Sequence, residues 1–227
     1  MNYRHELKFI VSDLELNILK YRLMPLMHED RHQKGGVYNI RSLYFDDFYD
    51  TCMHENEDGI DNRKKYRIRI YNGSDHVIKL EKKIKVRGMT RKISTGIDKE
   101  KCLTYMKGET LIPNKDSTDL EREFYAEIKM NGMHPVSIVE YERTAFVDFR
   151  GNTRITFDRN ISGSEKIASF FDKPVLTPLL PKGKHILEVK YDELIPEYLL
   201  QVLDIGSLQR TAFSKYYLSR NYQNTWK

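Results

Sequence analysis

Cationic side chains recur at every second position along several short segments of this sequence. Arg67 and Arg69 lie on one side of the alternating segment 66–71, and segment 77–85 repeats the pattern with lysines and one glutamate. Guanidinium groups offer paired donors that match phosphate oxygens, and ammonium groups act as point charges for the same ligand. The pattern therefore indicates binding or chemistry on a polyanion. The charged face of segment 77–85 holds Lys79, Glu81, Lys83 and Lys85.

Residue sets for other common chemistries are missing from the pattern. Cys52 and Cys102 do not form a CxxC pair, and the one pair of histidines at i, i+4, His28 and His32, falls in the predicted loop 28–36 instead of on a helix. No Ser-His-Asp or Cys-His set for nucleophilic catalysis is visible. Asp46-Asp47 resembles a metal motif, but its place before a short predicted helix favours a helix cap.

Composition places few limits on the function. The chain has 227 residues, of which 40% are hydrophobic, and we predict one domain over residues 1–227. A net charge of +5 and a pI near 9.0 are compatible with an anionic ligand. The first residues lack a secretory signal, and no apolar run of about 18 residues occurs. We therefore expect a cytoplasmic protein with reduced cysteines.

Period-two and helical patterns divide the chain into alternating elements. Arg4, Glu6 and Lys8 share one face of the first strand, and Ser12 with Glu15 forms a capping box. The helix that follows is predicted to end near Met27. Further strands are predicted over residues 37–45, 66–71, 77–85, 91–97, 136–147, 154–158 and 185–191. Further helices are predicted over 47–55, 98–107, 117–131, 196–203 and 207–221.

Two arrangements explain strands that have one apolar and one charged face. In an open antiparallel sheet the charged face would meet water, which is the ordinary case and the one that the pattern alone favours. In a closed barrel the charged face would point inward, with helices over the apolar outside. Such an interior needs anions to balance its cations.

Five segments occur in an order that resembles the catalytic domain of the vacuolar transporter chaperone (VTC) family. That domain belongs to the triphosphate tunnel metalloenzyme, or CYTH-like, superfamily. The resemblance runs from Arg4 to about Tyr217. The segments are Ser42-Leu43-Tyr44-Phe45-Asp46, Arg67-Ile68-Arg69-Ile70-Tyr71, Leu80-Glu81-Lys82-Lys83, Tyr141-Glu142-Arg143-Thr144-Ala145-Phe146 and Leu187-Glu188-Val189-Lys190.

The resemblance implies a fold and an activity. The fold is α+β: an antiparallel β-tunnel, closed as a barrel with a charged interior, surrounded by helices and shut at one end by the C-terminal helix. The activity is transfer of the γ-phosphate of ATP to a growing inorganic polyphosphate chain, with release of ADP. The implied cofactor is Mn²⁺ or Mg²⁺.

The resemblance also implies roles for individual residues. Those assigned to catalysis are Lys8, Arg67, Arg69, Arg143, Arg154 and Lys215. Those assigned to substrate binding are Lys79, Lys83, Lys92, Tyr141, Lys190 and Ser214. Glu188 is assigned to the metal, and Glu6 either joins it there or pairs with a neighbouring cation.

The first strand departs from the pattern of the tunnel phosphatases. Many of these read Glu-x-Glu-x-Lys, whereas this chain has Arg4, Glu6 and Lys8. Loss of one carboxylate favours the polymerase branch of the superfamily. An inorganic or nucleoside triphosphatase and a non-catalytic polyphosphate-binding module stay open as alternatives.

The expected partners are ATP and inorganic polyphosphate. A separate membrane subunit is a further candidate, and it would place the protein at the inner face of a membrane. No nucleic acid is expected, because stacking aromatics are rarely interleaved with arginine on the charged strands.

Overall fold

A single antiparallel sheet is the framework of the protein. The computed structural model describes residues 3–31, 33–206 and 208–224, so the ends of the predicted domain 1–227 lie outside the described residues. The strands within the described part are β1 (His5–Ser12), β2 (His28–Glu29), β3 (Tyr38–Asp46), β4 (Arg63–Tyr71), β5 (Ser74–Val86), β6 (Met89–Ile97), β7 (His134–Asp148), β8 (Thr153–Ser164), β9 (Thr177–Pro178) and β10 (Lys184–Tyr191). The helices are α1 (Asp13–Leu23), α2 (Thr51–Glu57), α3 (Lys99–Met106), α4 (Asp119–Asn131), α5 (Glu197–Leu203) and α6 (Lys215–Asn224).

The strands follow the order β1-β10-β8-β7-β3-β4-β5-β6, with β2 on β7 and β9 on β8. Every ladder is antiparallel. Because side chains alternate along a strand, each register aligns the charged positions of neighbouring strands on one face. The predicted α+β class with an antiparallel sheet is confirmed.

The two edge strands of the sheet, β1 and β6, are not joined by a ladder in the described residues. One bridge connects them, in which the amides and carbonyls of Arg4 and Thr90 exchange two hydrogen bonds of 2.8 Å. A barrel closed by continuous hydrogen bonding, which the resemblance implied, is therefore not confirmed.

The apolar face of the sheet packs against helices. Phe124 of α4 is fully buried against Phe45 and Tyr66, with ring centroids 5.0 and 5.3 Å away. Helices α1 and α5 cover a second cluster around Phe157 and Leu187. Burial of such side chains stabilises the fold by about 1.5–3 kcal/mol each, so the helices hold the apolar face away from water.

The first and last helices differ from the predicted ones at one end each. The predicted capping box of Ser12 and Glu15 is present, but α1 ends at Leu23 instead of continuing to Met27. The last helix begins at Lys215, and residues 208–214, which we call the C-terminal strap, run beside β1. The amide of Thr211 donates to the carbonyl of Lys8 at 2.9 Å. Residue 207, where the helix was predicted to begin, lies outside the described residues.

Asp46 and Asp47 bind the start of α2. Asp46 accepts hydrogen bonds from the amides of Cys52 and Met53, at 2.9 and 3.1 Å. Asp47 accepts from the amide of Thr51 at 3.0 Å. The helix begins later than predicted, and its N-cap position is Asp50. Both carboxylates nevertheless satisfy backbone donors at a helix start, as the cap interpretation requires.

Both cysteines are free and buried, as the absence of a paired motif suggested. No helix in the described part of the chain is at once long and apolar enough to cross a membrane.

Candidate active site

The charged face of the sheet lines a cavity of about 390 Å³. Strands from both ends of the sheet order contribute to it, so the sheet curls around the cavity. The C-terminal strap and the start of α6 form part of its wall. Its charged lining consists of eleven cations and two carboxylates: Lys8, Arg63, Lys65, Arg67, Arg69, Lys83, Lys85, Arg143, Lys190, Arg210 and Lys215, with Glu6 and Glu188.

Glu188 lies at the centre of four cations. Its carboxylate is 3.0 Å from the Lys190 ammonium, 3.3 Å from Lys215, 3.4 Å from Arg143 and 3.8 Å from Lys8. Burial alone would raise the pKa of Glu188, but Lys190, Lys215 and the other two cations hold this pKa well below its usual range. Glu188 is therefore an anion that draws catalytic candidates from β1, β7, β10 and α6 together.

Asp158 of β8 pairs with two of these cations, Arg143 and Lys215. It accepts from Nε and Nη2 of Arg143 at 2.6 and 2.7 Å, and its carboxylate is 2.6 Å from the Lys215 ammonium. Burial opposes ionisation, but Arg143 and Lys215 lower the pKa of Asp158 below its ordinary value. Asp158 ends the strand predicted over residues 154–158, and no role was predicted for it. Its position on the same face as Arg154 is the only sequence signal that it could belong to the site.

Arg67 and Arg69 are held by a carboxylate and by hydroxyls. Glu81 accepts from Nε of Arg67 at 2.8 Å and lies 2.7 Å from Nη2, while Nη1 donates to the Tyr44 hydroxyl at 3.2 Å. Arg69 donates to the hydroxyls of Ser42 and Tyr141 at 3.2 Å. Both guanidinium groups therefore have a fixed orientation at the cavity wall.

Tyr141 contacts several of the site cations. Burial would raise its pKa, but Arg143 and Arg69 lower it below the ordinary value. The Lys215 ammonium lies 4.8 Å from the centre of the Tyr141 ring, within the range of a cation–π contact. Tyr141 is therefore part of the predicted cluster of site residues.

Glu6 is the second carboxylate of the cavity. Lys83 lies 2.6 Å from it and Lys190 lies 3.4 Å from it. Burial would raise the pKa of Glu6, but Lys83, Lys8 and Lys190 together lower it far below its usual value. The Lys190 ammonium is within ion-pair distance of both Glu6 and Glu188, so one cation already bridges the two carboxylates.

The two carboxylates that Lys190 bridges, Glu6 and Glu188, are the residues assigned to a metal ion, so their surroundings show whether they fit that role. The described residues contain no group of three or more His, Cys, Asp or Glu side chains that could hold a metal by themselves. Mg²⁺ and Mn²⁺ at phosphate sites commonly use one or two carboxylates, together with substrate phosphates and water. Glu6 and Glu188, sharing one cation in the structure, fit that more limited role.

Most predicted site residues line the cavity, and three do not. Arg154 instead pairs with Asp30 and donates to the Tyr38 hydroxyl at 3.1 Å. Lys92 reaches Glu81 at 3.0 Å with a side chain that is 43% exposed. Lys79 is absent from the cavity lining. Ser214 does line the cavity, and it accepts a hydrogen bond from Lys65 at 3.3 Å.

Several lining residues were missed from the sequence. Strand β4 begins at Arg63, whereas the alternation was followed only from residue 66. Continuing the same period back by four residues would have found Arg63 and Lys65. Arg210 belongs to the strap, which was predicted as part of a helix over residues 207–221, so alternation gave no signal for it.

The protein is an α+β domain in which an antiparallel sheet curls around a strongly cationic cavity. Such a cavity is suited to an anionic ligand. Residues 3–222 match the family model described as "VTC domain". The chain therefore belongs to the VTC domain family, and the resemblance seen in its motifs is confirmed.

Solved structures share the fold. The PH1819 protein from Pyrococcus horikoshii OT3 is 15% identical, with a TM-score of 0.50, over 98% of this chain and 99% of that one. The PH1012 protein from the same organism is 12% identical, with a TM-score of 0.51, over 95% and 98%. Identities this low support a common fold only. The search of curated proteins found no match.

Proposed function

We propose that this protein extends inorganic polyphosphate by transferring the γ-phosphate of ATP inside the cationic cavity. The observation that carries the proposal is the cavity lining of a VTC-domain chain, in which eleven cations face two carboxylates. A ligand with closely spaced negative charges would balance this excess.

Phosphoryl transfer depends mainly on in-line positioning and on neutralising the charge of the transferring group. Arg67, Arg69 and Arg143 would supply oriented donors. Glu81 takes Nε and Nη2 of Arg67, and Asp158 takes the same atoms of Arg143. We therefore propose that Nη1 of Arg67 and Nη1 of Arg143 contact the phosphates, and in Arg67 this nitrogen also donates to the Tyr44 hydroxyl at 3.2 Å. The acceptor is a terminal phosphate that is already anionic, so no strong general base is needed.

Lysines would follow the chain of phosphates as point charges. Lys8, Lys83, Lys190 and Lys215 line the cavity beside the arginines, and the start of α6 adds the partial positive charge of a helix N-terminus. Tyr141 would hold Arg69 in place and contact the substrate. Arg154, Lys79 and Lys92 lie outside the lining, so for these residues we propose support of the cavity wall instead of direct contact.

A divalent cation, Mn²⁺ or Mg²⁺, is part of the proposal. Glu188 would hold it, with Glu6 as a second oxygen ligand once Lys190 turns to the phosphates. When bound, the metal would neutralise charge on phosphate oxygens.

The tunnel form of the cavity also belongs to the proposal. Strands β1 and β6 would enclose a phosphate chain across the Arg4–Thr90 bridge, and α6 would shut one end. Arg4 itself pairs with Asp192 at 2.8 Å. The Arg4 side chain is absent from the cavity lining, so the position that holds a carboxylate in many tunnel phosphatases adds no carboxylate to this cavity. That difference supports polymer extension over hydrolysis.

One assay tests the proposal. The protein is incubated with ATP and Mn²⁺, and the products are separated to detect polyphosphate and ADP. Polymer formation that EDTA abolishes is the expected result. Release of phosphate without polymer would indicate a triphosphatase, and binding of polyphosphate without turnover would indicate a binding module.

Affinity for a long polyphosphate chain is expected to fall as the pH rises from about 7 to 9. Burial lowers the pKa of Lys65 to about 7 and that of Lys83 to about 8. Phosphates bind the protonated amines and raise both pKa values in the complex. The contribution is therefore complete below the pKa of the unliganded protein and decreases as the pH rises above it, by up to about tenfold per pH unit for each lysine.

Titration calorimetry at a series of pH values measures this effect. The inner phosphates of a long chain keep their charge over this range, so the protein causes the change. The Lys65→Arg variant keeps its charge throughout and is expected to flatten the profile. A constant affinity for the wild-type protein would contradict the prediction.

A further inference from the structure

Three cations that line the cavity have no carboxylate partner within 4.0 Å among the described residues: Arg63, Lys65 and Arg210. The inner cations differ from them. Arg67 is held by Glu81, Arg143 by Asp158, and Lys215 by both Asp158 and Glu188. The cations of the inner part of the cavity therefore have ion-pair partners, whereas Arg63, Lys65 and Arg210, which line what we call the outer region, have none among the described residues.

The ladder between β4 and β5 places like charges opposite each other in the outer region. Arg63 faces Lys85, and Lys65 faces Lys83, whereas the next row pairs Arg67 with Glu81. Like charges directly opposite in an antiparallel pair are destabilising. Lys83 and Lys85 each have a carboxylate, Glu6 at 2.6 Å and Asp61 at 3.5 Å. Arg63 and Lys65 are therefore the members of the two rows without an ion pair among the described residues, and Arg63 donates instead to the carbonyls of Glu55 and Ile60, at 3.3 and 2.6 Å.

The hydrogen-bond partners of the Lys65 ammonium are neutral groups. It donates to the side-chain oxygen of Asn56 at 2.9 Å and to the Ser214 hydroxyl at 3.3 Å. It also lies 5.0 Å from the centre of the Tyr216 ring. A largely buried amine without a carboxylate is costly to keep charged, and burial lowers its pKa to about 7. A bound anion would remove that cost.

The outer cations continue the line of the arginine pair. Lys65 precedes Arg67 by two residues on β4, which is about 6.6 Å at the usual rise of a strand, and Arg63 comes two residues earlier. Arg210 lies across from them on the strap, beside Phe9 of β1. A phosphate chain that passes the arginine pair in this direction meets Lys65 next.

We propose that Arg63, Lys65 and Arg210 bind the part of a phosphate chain that extends beyond triphosphate length, so that the protein binds long chains more tightly than short ones. This inference rests on the proposed function. Phosphates in the inner region share their cations with carboxylates, whereas phosphates in the outer region meet cations without a carboxylate partner among the described residues. Each outer contact therefore adds affinity without breaking an existing ion pair.

Competition binding with tripolyphosphate and with a long polyphosphate of defined length tests the proposal. For Lys65→Gln we expect roughly tenfold weaker binding of the long chain, the usual range for one charged hydrogen bond. Binding of tripolyphosphate should change by less than about twofold. Arg210→Gln, whose side chain is exposed, should show the same selectivity with a smaller loss.

Lys64→Gln is the matched control. It removes the same charge from the neighbouring position of β4, where Lys64 pairs with Glu127 on the opposite face. It should leave both affinities unchanged, and thermal melts should show all variants folded. Equal losses of Lys65→Gln for short and long chains, or no loss for either, would overturn the inference. A wild-type protein that binds neither ligand would instead contradict the proposed function.

Discussion

The Asp158→Asn variant is expected to lose about 3–5 kcal/mol of its free energy of unfolding. Asp158 is fully buried and ion-pairs with Arg143 and Lys215, both of which are also buried. An asparagine keeps the shape but not the charge, so two buried cations would lose a shared partner. Glu188 would be the nearest remaining carboxylate for both.

Urea denaturation followed by circular dichroism measures the loss. Asp13→Asn is the matched control, because it removes the same charge from a side chain that is 64% exposed and pairs with His185. A change of about 1 kcal/mol or less is expected there. If the two variants lose equal stability, Asp158 does not act as the buried counter-charge of this site.

Alternation along single strands was sufficient to predict much of the site. The alternation predicted Arg67, Lys83 and Glu188 on the charged faces of their strands, and all three side chains line the cavity. Side-chain direction in a strand depends only on period two, which is a local property. The resemblance then supplied the inward orientation that the pattern could not decide.

Contacts between strands were not predictable in the same way. Arg143 stands directly opposite Asp158 only because β7 and β8 pair in one register, which shifts between Glu140 and Glu142. No local pattern in the sequence encodes such a shift. Arg154 illustrates the same limit. Arg154 is on the same face of β8 as Asp158. In the ladder with β10 it stands opposite Lys190, whereas Glu188 stands opposite Thr156, and the Arg154 side chain pairs with Asp30.

The C-terminal strap shows how tertiary contacts override a helical pattern. Residues 207–221 have the composition of one amphipathic helix, but the strap is drawn to β1 by the bond from Thr211 to Lys8. Lys8 also donates from its ammonium to the carbonyl of Phe213 at 2.7 Å. These two contacts hold residues 211–213 beside β1. Helix α6 begins directly after them, where the Ser214 hydroxyl accepts a hydrogen bond from the amide of Tyr217 at 3.3 Å. The late start is what points Lys215 into the cavity.

The Arg67→Ala variant is expected to form polyphosphate from ATP at least about 100-fold more slowly than the wild-type protein. Arg67 presents a fixed guanidinium to the cavity, and under the proposed mechanism it stabilises charge on the transferring phosphate. Its loss should not unfold the protein, because Glu81 keeps Lys92 at 3.0 Å and Arg69 at 3.6 Å. The measurement is the initial rate of polymer formation at saturating ATP and Mn²⁺.

A double-mutant cycle separates this effect from the exposure of Glu81 to the substrate. In Arg67→Ala, Glu81 loses its closest partner and could repel the phosphates, whereas Arg67→Ala combined with Glu81→Gln removes that repulsion. If Arg67 acts on the phosphate directly, the double variant should stay slow. Recovery to near the rate of Glu81→Gln alone would show instead that Arg67 serves only to neutralise Glu81, and the assignment of the arginine pair to the transferring phosphate would then be wrong.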